Sequence, residues 1–209
     1  MKNDAAAVMV VDDDAGVRNA MRLLLKSVGL NHQLFSSAQE FLAAYQPSQQ
    51  GCLVLDIRMP GMSGLELQQQ LNLRGAVVPV IFMTGHGDVP MAVEAMQHGA
   101  FDFLQKPFRD QDLLDRIQHA IVKDAERRKS LGEHERIRTH LESLTPRERE
   151  VLDLMILGKQ NKAIGQDLGV SPRTIEIHRG RVMEKMGAHS VAELVRMMLD
   201  LSHVATSGR

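Results

Sequence analysis

Val8-Met9-Val10-Val11-Asp12-Asp13-Asp14 is the stretch that decides the fold. Four apolar residues, three of them β-branched, end abruptly in three carboxylates. A short, unbroken apolar run suits a strand buried on both faces, as in a parallel sheet. Working outward, the same grammar recurs. Apolar runs occupy 33–35, 53–55, 80–83 and 101–104, and helix-like amphipathic stretches fill 15–28, 37–44, 64–73, 89–98 and 110–123. Ser37 with Glu40 forms a capping-box pattern. Asp88 and Asp110 are suited to cap helix starts, and Gly29 and Gly99 fall where helices should stop. Five βα units in succession predict an α/β domain: a five-stranded parallel sheet, doubly wound, with the flavodoxin-like strand order.

The remainder reads differently. Residues 123–140 are charge-dense, lack Pro and are predicted to continue the preceding helix as a linker, with Gly132 counting against a rigid rod. Thr145-Pro146-Arg147-Glu148 is a capping box with Pro at the first helical position. That helix should stop at Gly158. A short helix is predicted over 161–168, ending at Gly169. Ser171-Pro172 opens another that reaches Met186 and stops at Gly187, and a last helix runs from Ser190 to Leu201. Short helices joined by tight turns predict a small all-α helix-turn-helix domain. The expected organisation is therefore a first domain over 5–122, a helical linker over 123–140 and a second domain over 141–206.

Charge follows this division. Residues 1–122 hold 9 Lys+Arg against 13 Asp+Glu, a net of −4, whereas 123–209 hold 16 against 13, a net of +3. An acidic half followed by a basic half fits a regulatory domain joined to a nucleic-acid binder. The apolar runs are far shorter than the ~20 residues a membrane helix needs. The N-terminus lacks a signal-peptide shape, and Cys52 is the single cysteine, so a cytoplasmic location is expected. Cys52 is read as a packing residue, and the nine His show no metal-ligand spacing.

The chemistry gathers at strand ends, where parallel α/β sheets bind ligands. Asp12 and Asp13 follow the first predicted strand, Asp56 ends the third, Thr84 the fourth and Lys106 the fifth. Clustered carboxylates repel unless a cation neutralises them. Oxygen ligands suit Mg²⁺, an aspartate can form an acyl phosphate, and a lysine can stabilise phosphoryl oxygens.

On these residues the first half resembles the receiver family of response regulators. The resemblance rests on Val10 to Asp14, on Leu55-Asp56-Ile57-Arg58-Met59-Pro60-Gly61 with Gly64, on Thr84-Gly85-His86-Gly87-Asp88-Val89-Pro90, and on Lys106-Pro107-Phe108. The Thr84 stretch resembles the FixJ subfamily. The resemblance implies that Asp56 is the phosphoacceptor. It further implies that Asp12, Asp13, Asp56 and the backbone carbonyl of Arg58 serve Mg²⁺, with Asp12 acting through water. Thr84 and Lys106 would bind phosphoryl oxygens, Phe103 would be an aromatic switch, and the Lys106–Pro107 bond would be cis. The competing reading of Phe103 is a plain core residue.

The second half resembles the LuxR-type helix-turn-helix module of FixJ and NarL regulators, through Leu144 to Leu152, Asn161-Lys162-Ala163-Ile164, Thr174-Ile175-Glu176-Ile177-His178 and Lys185-Met186. Helical spacing puts Ile175, Val182 and Met186 on one buried stripe. Arg173, Ile177 and Gly180 lie opposite, flanked by Glu176 and Arg181. Lys162, Arg173, Thr174 and Arg181 are candidate DNA contacts. Glu176 is suited to a cytosine amino group and Ile177 to a thymine methyl. Gly180 costs about 1 kcal/mol against Ala in a helix, which a close backbone approach to DNA would explain. Arg179, near the buried side, is expected to pair with Glu148. Gly165 stands where the family has Ala. The implied function is a transcriptional regulator rather than an enzyme. Its expected partners are a sensor histidine kinase, double-stranded promoter DNA, a second copy of the chain on phosphorylation, and RNA polymerase. The rival readings are an aspartyl-phosphate phosphohydrolase and a constitutive DNA binder with an inert receiver.

Overall fold

The computed structural model describes residues 6–85 and 89–207, so Asp88 and its predicted cap lie outside the described residues. The chain divides into two compact units, Met1–Arg128 and Lys129–Arg209.

In the first unit, β1 (Ala7–Val11), β2 (Asn31–Phe35), β3 (Gly51–Asp56), β4 (Val80–Thr84) and β5 (Asp102–Gln105) form one sheet in the order β2-β1-β3-β4-β5. β1 pairs with β2 and β3, β3 with β4 and β4 with β5, each in parallel. Strand alternation sends successive side chains to opposite faces. Met9, Val11, Leu53, Leu55 and Phe82 pack with Phe41 of α2 (Ala38–Ala44), Leu67 and Leu71 of α3 (Gly64–Leu73) and Ala95 of α4 (Val89–Gln97). Val8, Val10, Val54, Ile81 and Leu104 pack on the other face with Met21 and Leu25 of α1 (Ala15–Ser27) and with Leu113 and Ile117 of α5 (Asp110–Glu142). Because both faces are covered, β1 reads as an unbroken apolar run. Cys52 is fully buried and its thiol is pushed up to about 12, chiefly by burial, as a packing residue should be.

Local signals differ from expectation at identifiable places. Ser37 caps α2, its hydroxyl accepting from the Glu40 N–H at 3.2 Å, but the Glu40 carboxylate reaches back to Ser36 instead of closing the box. Asp110 is the first residue of α5 and not its cap; the Arg109 carbonyl accepts from the N–H groups of Asp112 and Leu113. A full capping box joins Ser63 and Glu66 at the start of α3, and Asp14 caps α1. Gly29 and Gly99 do carry positive φ at helix ends. β5 begins at Asp102, one residue later than expected.

The stretch 123–140 is helical, lying within α5. In the second unit, Ile137 and Leu141 of that helix join a core with α6 (Pro146–Ile156), α7 (Asn161–Leu168), α8 (Pro172–Met186) and α9 (Val191–Ser207). Thr145 and Glu148 form the expected capping box. α9 extends beyond the predicted end at Leu201, and no Gly or Pro stands before Ser207 to stop it. Among the described residues no helix is long and apolar enough to cross a membrane.

Candidate functional site

The strand ends build a charged pocket in the first unit. Just past β1, Asp12 is buried at 1% exposure. Its Oδ1 accepts from the Asp14 N–H at 2.9 Å, and the Arg18 guanidinium donates to its carbonyl at 2.8 Å. Asp56 closes β3, and its Oδ2 accepts from the Arg58 N–H at 2.9 Å. The following helix abuts this residue through Gly64, where a Cβ would lie 2.3 Å from the Asp56 carbonyl oxygen. From the end of β5, Lys106 Nζ stands 2.7 Å from Asp56 Oδ1 and 2.9 Å from Asp12 Oδ2. Thr84 is buried at the end of β4, and its carbonyl accepts from the Lys106 N–H at 2.7 Å. The Lys106–Pro107 peptide is cis.

The charges are mutually dependent. Burial pushes the Asp56 carboxyl above its ordinary value, and the Asp12 charge adds to this, against the pull of Lys106 and the Arg58 N–H. For Lys106, burial works to lower the value, but the hydrogen bonds and charges of Asp56 and Asp12 outweigh it and the net direction is upward. One ammonium thus faces two carboxylates, which leaves the pocket net negative and suited to a further cation.

The fold brings Asp12, Asp56 and Lys106 into hydrogen bonding and seats Thr84 beside them through the backbone. Asp13 stays exposed on the rim, and no three metal-binding side chains converge among the described residues. Phe103 pairs with Phe82 across β4 and β5 but is 38% exposed and belongs to neither core, so it is not a plain core residue. His86, Gly87 and Asp88 lie outside the described residues.

In the second unit α8 has the expected two sides. Ile175, Val182 and Met186 are fully buried, whereas Arg173, Glu176, Ile177, Gly180 and Arg181 are exposed. Lys162 on α7 is exposed as well. Thr174 is half-buried, its Oγ1 2.9 Å from Ser171 Oγ in the helix cap. A Cβ on Gly180 would meet nothing within 4 Å. Gly165 is the opposite case, because a Cβ there would come 2.7 Å from the Val170 carbonyl oxygen.

The expected Arg179–Glu148 pair does not form. Glu148 is bound by Lys185 at 2.6 Å and by the Thr145 N–H at 2.9 Å. Lys185 lies in the last turn of α8, where its ammonium also reaches the Ser143 carbonyl at 3.1 Å. These bonds, Lys185 first, hold the Glu148 carboxyl at about 2. Three further polar ties were missed because their partners are distant in sequence. Asp124 is buried and accepts from the Gly51 N–H at 2.9 Å. Arg128 donates to Asp124 and to the carbonyls of Pro47 and Gln49. Arg147 donates to the Leu168 carbonyl, tying α6 to the end of α7.

Comparison with known proteins agrees with both halves. The response regulator receiver domain model matches residues 8–118, and the model for bacterial regulatory proteins of the luxR family matches 142–198. The transcriptional regulatory protein FixJ of Azorhizobium caulinodans is 47% identical over 196 residues, covering 94% of this chain and 93% of that protein. Nodulation protein W of Bradyrhizobium diazoefficiens is 46% identical, covering 92% and 85%. Among solved structures, the response regulator StyR superposes with a TM-score of 0.86 at 45% identity, covering 93% of this chain and 98% of that one. Full-length FixJ from B. japonicum gives 0.58 at 43%, covering 95% and 98%. With a receiver domain ahead of a LuxR-family helix-turn-helix domain, and FixJ-like relatives matched over nearly its whole length, the chain belongs to the two-component response regulators that control transcription.

Proposed function

We propose that Asp56 accepts a phosphoryl group from the phosphohistidine of a cognate sensor histidine kinase, and that this modification governs the binding of promoter DNA by α8. The observation that carries this reading is the 2.7 Å contact between Lys106 Nζ and Asp56 Oδ1 beside buried Asp12. In the transfer, an Asp56 oxygen bonds phosphorus as the phosphorus–nitrogen bond to imidazole breaks, and the imidazole nitrogen takes up a proton. Lys106 then pairs with one phosphoryl oxygen, and the Thr84 hydroxyl turns to donate to another. The carboxylates of Asp12, Asp13 and Asp56 and the Arg58 carbonyl offer only oxygen donors, a hard set that suits Mg²⁺. When bound, that ion supplies positive charge against the phosphoryl oxygens.

The readout is a local charge change with a remote effect. As Thr84 turns, Phe103 moves from solvent into the space beside it. This reshapes the surface formed by α4 and β5, where Val93 and Met96 are also exposed, and favours a homodimer. The dimer presents two α8 helices to paired half-sites in the major groove. Lys162, Arg173, Thr174 and Arg181 contact phosphates or bases, Glu176 a cytosine amino group and Ile177 a thymine methyl, with the backbone at Gly180 close to the DNA. RNA polymerase is a further partner. The functional limits are 5–122 for the receiver, 123–140 for the linker and 141–206 for the DNA-binding domain. The chain works in the cytoplasm and turns over no small phosphate ester.

The test is acetyl phosphate treatment with Mg²⁺, followed by peptide mapping and a DNA-binding assay at fixed salt. The wild-type chain should carry the phosphoryl group on Asp56, dimerise and bind DNA more tightly. Asp56→Asn should do none of these. A responsive Asp56→Asn chain, or equal DNA affinity with and without phosphodonor, overturns the proposal.

A further inference from the structure

The three consecutive carboxylates after β1 are held in different ways. Asp14 folds onto the start of α1, its Oδ1 accepting from the N–H groups of Gly16 at 2.6 Å and Val17 at 3.2 Å. Asp12 faces the pocket, where Oδ1 accepts from the Asp14 N–H and Oδ2 from Lys106. Its backbone N–H donates to the Phe35 carbonyl at 3.3 Å. Asp13, exposed on the rim, stands between them.

The remaining polar atom of Asp12 is its carbonyl oxygen, and Arg18 takes it. From the first turns of α1, Arg18 Nη1 donates to that oxygen at 2.8 Å. Arg18 is half-buried, and no carboxylate pairs with it among the described residues. Glu40 on α2 feels its charge but places its own carboxylate on the N–H and hydroxyl of Ser36. A guanidinium on a helix face ordinarily finds water or a carboxylate. This one is committed to a neutral acceptor at the edge of a charged pocket, through a bond roughly twice as strong as one between neutral groups.

That acceptor belongs to the peptide joining Asp12 to Asp13. The peptide is planar, so fixing its oxygen fixes the plane and with it the Cα of Asp13. In the proposed transfer Lys106 leaves Asp12 for a phosphoryl oxygen. Among the described residues, Arg18 is then the cation still bonded to Asp12.

We infer that Arg18 is a positioning residue of the phosphoryl site. By holding the Asp12–Asp13 peptide it sets the directions from which both carboxylates reach the magnesium ion, and it keeps Asp12 in place when Lys106 departs. The inference rests on the magnesium-dependent reading of Asp56. Its signature has the opposite sign to a simple charge effect. Removing a cation from beside a net negative pocket tightens the binding of another cation. Removing a contact that orients a metal's ligands loosens it, by about 10–100-fold.

The test is titration of the full unphosphorylated chain with MgCl₂, followed by the amide chemical shifts of Asp12 to Asp14 and of Asp56 to Arg58. The wild-type chain should give saturable shifts there. Arg18→Met should bind Mg²⁺ about tenfold more weakly, the low end of that range because Arg18 acts through a backbone carbonyl. Arg18→Lys, which keeps a cationic donor, should recover most of the loss. Arg22→Met removes an exposed cation one turn further along α1, where it bonds Asn19, and should bind Mg²⁺ as the wild type does or more tightly. Equal or tighter binding by Arg18→Met overturns the inference, and so does a lysine variant as weak as the methionine variant. An equal loss in Arg22→Met overturns it as well, since that would mark a general disturbance of α1. A wild-type chain without saturable shifts overturns the magnesium reading itself, and this inference with it.

Discussion

Lys106 Nζ lies 2.7 Å from Oδ1 of Asp56 and 2.9 Å from Oδ2 of Asp12, so one cation holds two carboxylates together across the end of the sheet. Replacing it exposes their repulsion. Lys106→Met should destabilise the receiver at neutral pH by roughly 2 kcal/mol, below the ~3–5 kcal/mol of a fully buried pair because the lysine side chain is 28% exposed. Adding Asp56→Asn should recover most of the loss. Urea denaturation of the single and double variants measures this. An unchanged midpoint for Lys106→Met would remove the electrostatic account of the pocket.

Glu148 ties the capping box of α6 to Lys185 at the end of α8. Its carboxyl is held at about 2 in the folded chain, against an ordinary value of 4.5. A depressed carboxyl contributes stability above its unfolded value and loses it as pH falls through the folded value. The helix-turn-helix unit should therefore weaken progressively from about pH 5 to about pH 2, and Glu148→Gln should flatten that slope. Thermal unfolding followed across this pH range is the measurement. Parallel slopes for the two proteins would refute the linkage.

Gly165 packs α7 against the turn before α8. A methyl group there meets the Val170 carbonyl oxygen at 2.7 Å, a backbone atom that cannot rotate away. Overpacking of this kind costs about 1–3 kcal/mol, against about 1 kcal/mol that Ala gains in helix propensity. Gly165→Ala should be net destabilising for the second unit, even though Ala is the better helix former. A raised denaturation midpoint would show that the turn yields more easily than the backbone contact implies.

Gly180 presents the reverse balance, since its Cβ position is open. Gly180→Ala should stabilise the second unit by about 1 kcal/mol. If the helix backbone approaches DNA there, the same change should weaken binding severalfold at constant salt. Stability and affinity moving in opposite directions is the expected signature. Stabilisation with unchanged DNA affinity would place that backbone away from the groove.

What the sequence determined by itself was most of what short spacing governs, though the Glu40 carboxylate turned to Ser36 and Asp110 proved to lie inside α5. Unbroken apolar runs such as 8–11 marked strands covered on both faces, and polar residues at the ends of those runs marked the rim where chemistry collects. Thr145-Pro146 with Glu148 announced a helix start because the cap needs only residues three apart. Ile175, Val182 and Met186 announced the buried side of α8 because helical period alone selects it. Tertiary structure decided the pairings, because they join residues that periodicity cannot relate. Lys106 meets Asp12 across 94 positions, Asp124 meets Gly51 across 73, and Lys185 displaces Arg179 as the partner of Glu148 across 37. The same holds for Gln68 on α3, whose amide nitrogen finds the carbonyls of Ala95 and His98 only because α4 brings them there. A hydrogen bond or ion pair depends on where two backbones come to rest, and that is set by the packing of whole helices on the sheet.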